Sequence, residues 1–535
     1  MVQHAATRSR LARSGVSLPS ATITSDVQFV MDWNTDNCGT VNNTEIPPMP
    51  PPECAASIRP GCDTDNIDSM PRVWFDQING VYRQLHSVAT CQGPSRAQVG
   101  TSLNTLKHRC AAYTKLVQQD PVLDHFNFNV WVEAPYVLNR THVYALTHVD
   151  SSNTSIRGRN NVFSDITLYK SIDGGASFTQ ALPTPHHLVA TTPYDNHDGH
   201  IGMGMGLGMP SSILKDPKSD YLYVMALANW GRDIPGQAQA AGQCLLRTKD
   251  ITDPSSWRAW NGSHFSVTVN ASPLLAPVPR PADHTCAVLD LDLHHISLLW
   301  STYFEKFIAF GEARNNNWAF ALSDDLVTWG ALTEVVGQVR PNATITPVSP
   351  MPGKWVFAPD DSGGGVRDVP YWIGAANATG EQAASGESFK WKALCGRCSQ
   401  GPCEPCPGMG DVCEIAQNVS AAEWSAVPFA TVHVDFTCGL VHQLAGYAEY
   451  HYPTLVDDSQ HSSTGADPSL NAIGRTGTVF FVAGKCAGTR PWTPNNKGAT
   501  NPLKCDLQDA VGSTRRDVVR VTIAFEKETS AIRWL

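Results

Sequence analysis

The sequence of 535 residues lacks a long hydrophobic run and a strong excess of either charge. No apolar stretch approaches the roughly 20 residues that a membrane-spanning helix needs, so we expect no transmembrane segment. The formal net charge of −10 gives no reason to expect a polyanionic partner, and we predict no nucleic-acid binding. The opening residues, MVQHAATRSRLARSG, also lack the apolar segment of a secretory signal peptide.

Cysteine and glycosylation sequons, by contrast, are abundant. The 15 cysteines are an odd number, so at least one thiol stays free or pairs between chains if all the others pair. Asn-x-Ser/Thr sequons lie at Asn42, Asn139, Asn153, Asn261, Asn270, Asn342, Asn377 and Asn418. Both features are typical of an oxidising compartment. We therefore predict an extracellular or secretory-pathway glycoprotein with disulfides, although the given N-terminus shows no clear signal peptide.

The 41 glycines and 37 prolines fit a turn-rich β protein, and the segment FSDITLYKSIDGGASF at 163–178 is the strongest local signal. Its first half alternates apolar and polar residues as a half-buried strand does. The turn after it has the pattern S-x-D-x-G-x-x-F. There Asp173 can accept hydrogen bonds from backbone amides, Gly175 can adopt a positive φ, and Phe178 can return beneath the hairpin.

A repeated unit of three strands becomes visible when the strands are aligned by these turns. The second strands are GVYRQLH (80–86), HVYALTH (142–148), YLYVMAL (221–227), KFIAFGE (306–312) and TVFFVAG (478–484). The turn aspartates Asp173, Asp250 and Asp325 are spaced 77 and 75 residues apart, whereas Asp517 follows 192 residues later. This predicts an all-β, five-bladed β-propeller with one insertion. Six blades stay an alternative, because the first unit lacks a clear acidic turn.

The repeat divides the chain into four parts. We expect a disordered or extended leader over 1–67, which carries the proline run IPPMPPPEC, and propeller blades 1–4 over 68–335. A cysteine-rich insertion follows over 336–445, and the last blade and closure over 446–535. The insertion contains Cys395, Cys398, Cys403, Cys406 and Cys413. Its paired C-x-x-C units are closer together than in the usual zinc ribbon, so a disulfide-stapled loop is favoured over zinc.

The turn pattern resembles the Asp-box of sialidase-type propellers, where it is architectural. The turns TKDITDPSSW and SDDLVTW resemble those of five-bladed glycoside hydrolases of the furanosidase and arabinanase type. The order of EAPYV, VYALTH, DGGASF and the later segments over 70–525, apart from the insertion, is also similar to that of secreted microbial propeller proteins without an established reaction. The resemblance implies a propeller fold and a carbohydrate or glycoconjugate partner.

In a propeller, the ligand site lies at the axial channel, where inner strands start and second strands end. The inner-strand starts contribute Asp68, Arg72, Glu133, Glu449 and His451. The second-strand ends contribute His86, His148 and Glu312.

Glycoside hydrolysis needs two carboxyl groups, one as acid and one as base or nucleophile. We predict that the catalytic residues are Asp68, Glu133 and Glu449, with Asp68 as the base. The predicted substrate-binding residues are Arg72, His86, His148, Glu312 and His451. The alternative function is a non-catalytic extracellular propeller that binds glycans or proteins.

A metal-dependent reaction is a third interpretation. His197, Asp198 and His200 in NHDGH could bind a transition metal together with His86 and His148. Because no recognised metal motif is present, a polar loop is favoured, and we expect neither a metal nor a cofactor. The sequence does not indicate an oligomeric state.

Overall fold

The computed structural model describes residues 19–25, 27–32, 36, 67, 69–85, 95–116, 122–127, 130–152, 162–194, 204–231, 233–313, 318–336, 366–371, 392–394, 412–414, 430–435, 447–457, 468–485 and 515–527. Asp68, His86 and the segment NHDGH lie outside these ranges. In the described ranges, the bounded elements are strands and short 3₁₀ turns. This confirms the predicted all-β class. No helix among these residues is long and apolar enough to cross a membrane.

The strands of the first half form three successive antiparallel groups. Two N-terminal strands come first, β1 (Ser20–Ile23) and β2 (Gln28–Met31). The first group consists of β3 (Arg72–Asp76), β4 (Val81–Leu85), β5 (Ser95–Gly100) and β6 (Lys107–Leu116). The second group consists of β7 (Val130–Val137), β8 (Val143–Ser152), β9 (Val162–Ser171), β10 (Ser177–Gln180) and β11 (Leu188–Ala190). The third group consists of β12 (Gly204–Gly208), β13 (Leu214–Lys215), β14 (Leu222–Ala228), β15 (Gly242–Thr248), β16 (Arg258–Trp260), β17 (Phe265–Val267) and β18 (Val288–Leu289).

The second half contributes two more antiparallel groups, separated by the predicted insertion. The fourth group consists of β19 (Leu293–Ser301), β20 (Lys306–Ala313), β21 (Trp318–Ser323) and β22 (Thr333–Val336). Within the insertion, β23 (Val366–Tyr371) pairs with β26 (Ala430–Asp435), and β24 (Lys392–Leu394) pairs with β25 (Val412–Glu414). The last group consists of β27 (Tyr447–Val456), β28 (Ala472–Ile473), β29 (Thr476–Lys485) and β30 (Arg515–Glu526).

The five predicted second strands are all present, as β4, β8, β14, β20 and β29. Each is paired antiparallel on both sides within its own group. Neighbouring groups also meet through parallel pairs, such as β10 with β6 and β12 with β9. The strand order is therefore that of the predicted repeat. The number of blades stays a prediction.

Part of the predicted leader is a strand of the sheet. Ala21 in β1 pairs with Phe525 of β30 on one side and with Val335 of β22 on the other. The segment SATI alternates half-buried and buried residues, and the buried members are Ala21 and Ile23. The N-terminal strand thus links the fourth and last strand groups.

The acidic turns contain the hydrogen bonds that the sequence predicts. Asp173 accepts bonds from the Ser177 amide at 2.9 Å and the Ser177 hydroxyl at 2.7 Å, while the Gly175 amide donates to Ser171 at 2.8 Å. Asp325 likewise accepts from the Val327 and Thr328 amides. Partial burial opposes ionisation of Asp173, but its hydrogen bonds with Ser177 and Ser171 outweigh burial and lower its pKa.

Asp517 is an exception, because it is not a turn residue. It lies inside β30, opposite Ala483, and is fully buried. The prediction was wrong because the strand begins at Arg515, before the residue assigned to the turn.

One disulfide is formed within the described residues, between Cys244 in β15 and Cys286. Among the sequons that the structure describes, Asn139 and Asn261 are exposed, and both lie in hydrogen-bonded turns. Glycosylation and the secretory location stay predictions.

The turn at 171–178 also joins the first two strand groups. The Trp74 indole donates to the Gly174 carbonyl at 3.0 Å, and its ring meets the buried Phe178 edge-on at 6.3 Å between centroids. Gly175 has a φ of +96°, and a Cβ there would lie 2.5 Å from Trp74 Cζ2. A side chain at this position would therefore collide with the core.

Replacing Gly175 with alanine should destabilise the protein more than the matched change at Gly80. Gly80 also has a positive φ, +67°, but its surroundings are open within 4 Å. Both variants impose a left-handed alanine, which costs about 1–2 kcal/mol. Only Gly175→Ala adds overpacking, about 1–3 kcal/mol more. Urea unfolding of the two variants measures the difference, and equal losses would contradict the proposed collision.

Candidate functional site

Arg72 is the residue on which the inner strands of several groups converge. From β3, its guanidinium donates to the Glu133 carbonyl of β7 at 3.0 Å, and to the Ser297 hydroxyl and Ile296 carbonyl of β19 at 3.0 and 2.7 Å. A further N–H points to the Met70 sulfur at 2.8 Å. Burial lowers the pKa of Arg72 to about 10, although the Glu133 carboxyl partly opposes this shift.

Ser297 extends this convergence to the last strand group. Its hydroxyl accepts the Leu455 amide of β27 at 3.1 Å as well as the Arg72 bond. Four of the five strand groups therefore meet around one buried guanidinium.

Glu133, whose backbone carbonyl accepts a hydrogen bond from Arg72, also has a buried carboxyl group. The residue is 4% exposed, and its Oε2 atom is buried without a hydrogen-bond partner. Its other oxygen, Oε1, lies 4.0 Å from His148 Nδ1. Burial raises the pKa of Glu133, and His148, His295 and Arg72 oppose the rise. This environment favours a protonated carboxyl.

His148 lies between Glu133 and a second carboxylate. Its Nε2 atom is 2.8 Å from Asp150 Oδ1, and its ring stacks on Trp131 with 5.2 Å between centroids. Burial lowers the pKa of His148, but Asp150, Glu133 and Asp165 outweigh burial and raise it to about 9. The environment of His148 therefore favours its positively charged form.

Glu312 orients a second histidine of the cluster, His295. Its carboxylate contacts His295 Nδ1 at 3.1 Å and accepts the Tyr452 amide at 2.5 Å. The His295 ring meets the Tyr452 ring edge-on at 4.6 Å between centroids. Glu312 thus joins the fourth group to β27 and orients His295, which acts electrostatically on Glu133.

The structure brings together four of the predicted residues: Arg72, Glu133, His148 and Glu312. Glu449 and His451 lie in β27, in register with Gly484 and Val482 of β29, but their side chains are outside the described part of the structure. Asp68 and His86 are also outside it. Their roles stay predictions. The Arg72 guanidinium binds acceptors inside the protein, which fits a structural role better than contact with a substrate.

Three residues of this cluster were not predicted from the sequence: Asp150, Trp230 and His295. Asp150 follows His148 by two residues on one strand, so period-two alternation places it on the same face. Trp230 lies two residues after the end of β14, close to the position that the rule for second-strand ends selects. His295 lies near the start of β19, where the rule for inner strands would have selected it.

The described residues contain no group of three or more His, Cys, Asp or Glu that could hold a metal ion. His86 and NHDGH lie outside them, so the metal interpretation stays untested. Gly208 in β12 allows the strand to approach the His148 ring closely, because a Cβ there would lie 2.9 Å from His148 Nε2.

No protein-family model matches the sequence, and no curated protein does. A glycosyl hydrolase from Bacteroides ovatus is 15% identical, and the match covers 38% of this chain and 51% of that one at a TM-score of 0.23. The chain thus spans about half the length of that hydrolase. The catalytic domain of the Coprinopsis cinerea GH62 α-L-arabinofuranosidase is 10% identical. That match covers 74% of this chain and 90% of the other, at a TM-score of 0.24.

A GH43_1 enzyme from Xanthomonas citri complexed with xylotriose is likewise 10% identical, with 52% and 77% coverage at a TM-score of 0.29. All three TM-scores lie below 0.5, which is too low to establish a shared arrangement of strands or a shared activity.

Asp165 gives the cluster a measurable pH signature. Burial raises its pKa from 3.8 to about 7, although the Thr191 hydroxyl bond at 2.5 Å opposes the rise. The native state therefore holds this proton more tightly than the unfolded chain. Stability should fall as pH rises from about 4 to 7, by about 1.4 kcal/mol per pH unit.

Asp165→Asn cannot titrate, so this fall should be reduced in the variant. Urea unfolding between pH 4 and 8 measures it, with the exposed Asp124→Asn as the matched control. Identical pH slopes in wild type and Asp165→Asn would show that Asp165 ionises normally in the native state.

Proposed function

We propose that the protein is a carbohydrate-active β-propeller that hydrolyses a glycosidic bond, with Glu133 as the general acid. The observation that carries the proposal is the Glu133 carboxyl, which is buried, lacks a partner for Oε2 and has a raised pKa. A general acid must hold its proton near neutral pH, and desolvation is a standard way to achieve this.

The propeller arrangement is supported by the convergence of the inner strands. Residues of β3, β7, β19 and β27 meet at Arg72 and Ser297 although they are far apart in sequence. Successive antiparallel groups whose first strands meet at one point are typical of radial repetition. Five groups of strands favour five blades.

Asp68 is the proposed base that activates water or attacks the sugar. Its chain neighbours Ile67 and Ser69 are buried, and Met70 contacts the Arg72 guanidinium. Asp68 thus belongs to the chain segment that leads into the cluster. Of the other carboxylates, Glu312 is bonded to His295 and the Tyr452 amide, and Asp150 to His148, so both are better suited to positioning.

The alternative is a non-catalytic propeller that binds a glycan or a protein. It is favoured by the low exposure of Glu133, 4%, because an acid catalyst must reach the leaving-group oxygen of the substrate. Binding of a glycan without any cleavage would identify this alternative.

Glu133→Gln should lower kcat on a glycan substrate by about 10²- to 10⁴-fold, because the proton donor is lost. The loss should be much smaller on a nitrophenyl glycoside, whose leaving group needs little protonation. A glycan panel with product analysis supplies the substrate, and the exposed Glu305→Gln is the matched control.

Asp68→Asn should reduce hydrolysis of both kinds of substrate. A Glu133→Gln enzyme with full activity on the natural glycan would overturn the acid assignment.

A further inference from the structure

Glu133, His148 and Asp150 form a continuous row in which one imidazole separates two carboxyl groups. Glu133 Oε1 lies 4.0 Å from Nδ1 of the ring, and Asp150 Oδ1 lies 2.8 Å from Nε2. The ring is confined on one side by Trp131, with 27° between the planes, and close to Gly208, where a Cβ would meet Nε2 at 2.9 Å. The imidazole therefore packs between Trp131 and Gly208 with a carboxyl group beside each ring nitrogen.

Asp150 is itself held by a chain of hydrogen bonds. The Ser164 hydroxyl donates to Asp150 Oδ1 at 2.6 Å and accepts the Trp230 indole N–H at 2.6 Å. Ser164 Oγ also lies 3.2 Å from His148 Nε2. The carboxylate, the hydroxyl and the ring thus form one closed triangle of polar contacts.

The Trp230 indole is presented to Ser164 by a strained turn. Asn229, Trp230 and Gly231 all have a positive φ, at 52°, 48° and 71°. The Asn229 side chain stabilises the turn by accepting the Gly206 amide at 3.1 Å and donating to the Gln239 carbonyl at 3.1 Å. Non-glycine residues in this region cost free energy, and they persist where surrounding contacts hold them.

We propose that Asp150 is a positioning residue that acts through His148 on the proton donor Glu133. It orients the imidazole and keeps it as an imidazolium facing the Glu133 carboxyl. When Glu133 gives its proton to the glycosidic oxygen, the bond between the anomeric carbon and that oxygen breaks and its electron pair stays on the oxygen. The water activated by Asp68, or the Asp68 carboxylate itself, forms the new bond to the anomeric carbon, and Glu133 becomes a carboxylate. The imidazolium then stabilises the new negative charge. This inference rests on the proposed function.

The negative charge on Glu133 develops only as the proton is transferred. Its stabilisation by the imidazolium therefore favours the transition state over the ground state. If the Glu133 carboxyl were ionised throughout the reaction, the imidazolium would stabilise the ground state and the transition state equally and would not accelerate the reaction. Desolvation raises the pKa of Glu133 and so favours the protonated carboxyl, and the imidazolium makes the proton loss less costly.

Other charged groups also face this row. Arg72 from β3 and His295 from β19 act on Glu133, and Asp165 from β9 acts on His148. These groups remain in an Asp150 variant. A change in the titration of His148 therefore reports on Asp150 itself.

The test is Asp150→Asn, which keeps the shape of the side chain and removes its charge. The His148 ring is titrated by NMR in protein with isotope-labelled histidine and assigned by loss of its signal in His148→Gln. We expect the His148 midpoint, about 9 in the wild type, to fall by at least one pH unit. On a cleaved glycan, kcat should fall about tenfold or more with KM within about twofold. The exposed Asp220→Asn is the matched control and should change neither value.

Ser164→Ala provides a second variant in case Asp150→Asn does not fold. It removes the donor to Asp150 but keeps both charges, so a smaller fall in the midpoint and in kcat is expected. An unchanged His148 midpoint in a folded variant would overturn the inference, whether or not the protein is an enzyme. So would a lowered midpoint with a normal kcat, or a loss confined to KM.

The two proposals fail in distinguishable ways. A wild-type protein that binds glycans but cleaves none would contradict the proposed function, and it would also contradict the catalytic part of this inference. The electrostatic part would still be decided by the titration. If the wild-type protein cleaves a glycan but the His148 midpoint is the same in Asp150→Asn, the proposed function stands and the inference about Asp150 is wrong.

Discussion

The buried Arg72 guanidinium is the interaction on which the centre of the molecule depends. A guanidinium has five N–H donors in a fixed plane and cannot lose its charge at neutral pH, so burial is tolerable only with several well-placed acceptors. The acceptors come from the first, second and fourth strand groups, and Ser297 passes the network to β27. Strands distant in sequence are thereby held to one point, and the positions of Glu133 and Ser297 follow from it.

A buried cation also sets the electrostatics around it. Arg72 bonds to the backbone carbonyl of Glu133 rather than to its carboxylate. The Glu133 carboxyl therefore experiences the positive charge at a distance, and its Oε2 atom is buried without a hydrogen-bond partner. Burial prevails, and its pKa is raised. The same arrangement that joins the strands thus leaves one carboxyl group at the centre in an environment that favours its protonated form.

The sequence predicted the strand repeat because its signals are local. Alternation within ITLYKS and the Asp173 turn depend on residues a few positions apart, and the second strands are all present. The site was only partly predictable, because its contacts join distant strands. Arg72, Glu133, His148 and Glu312 were selected by strand position, but the role of Arg72 depends on Ser297 and Ile296, which lie more than 200 residues away.

His295 shows why the rest of the site was harder to predict. It has a φ of +50°, and the register between β19 and β20 shifts between His294 and Ser297. A bulge breaks the period of two, so alternation no longer reports which way a side chain faces. Asp517 was misassigned for a related reason, since a polar residue buried inside a strand looks like a turn residue when only composition is considered.

The two glutamates of the cluster illustrate how one fold can give the same side chain different chemistry. Glu312 contacts the His295 ring and accepts the Tyr452 amide, so hydrogen bonds hold its carboxylate in place. Glu133 has a buried oxygen without a donor, which favours the protonated form. Two carboxyl groups with opposed environments are the arrangement that acid–base catalysis requires. Because the Glu312 carboxylate already orients His295, the proposed hydrolysis requires a separate carboxylate as the base. This is the physical reason for assigning that role to Asp68, from the chain segment that leads directly into Arg72.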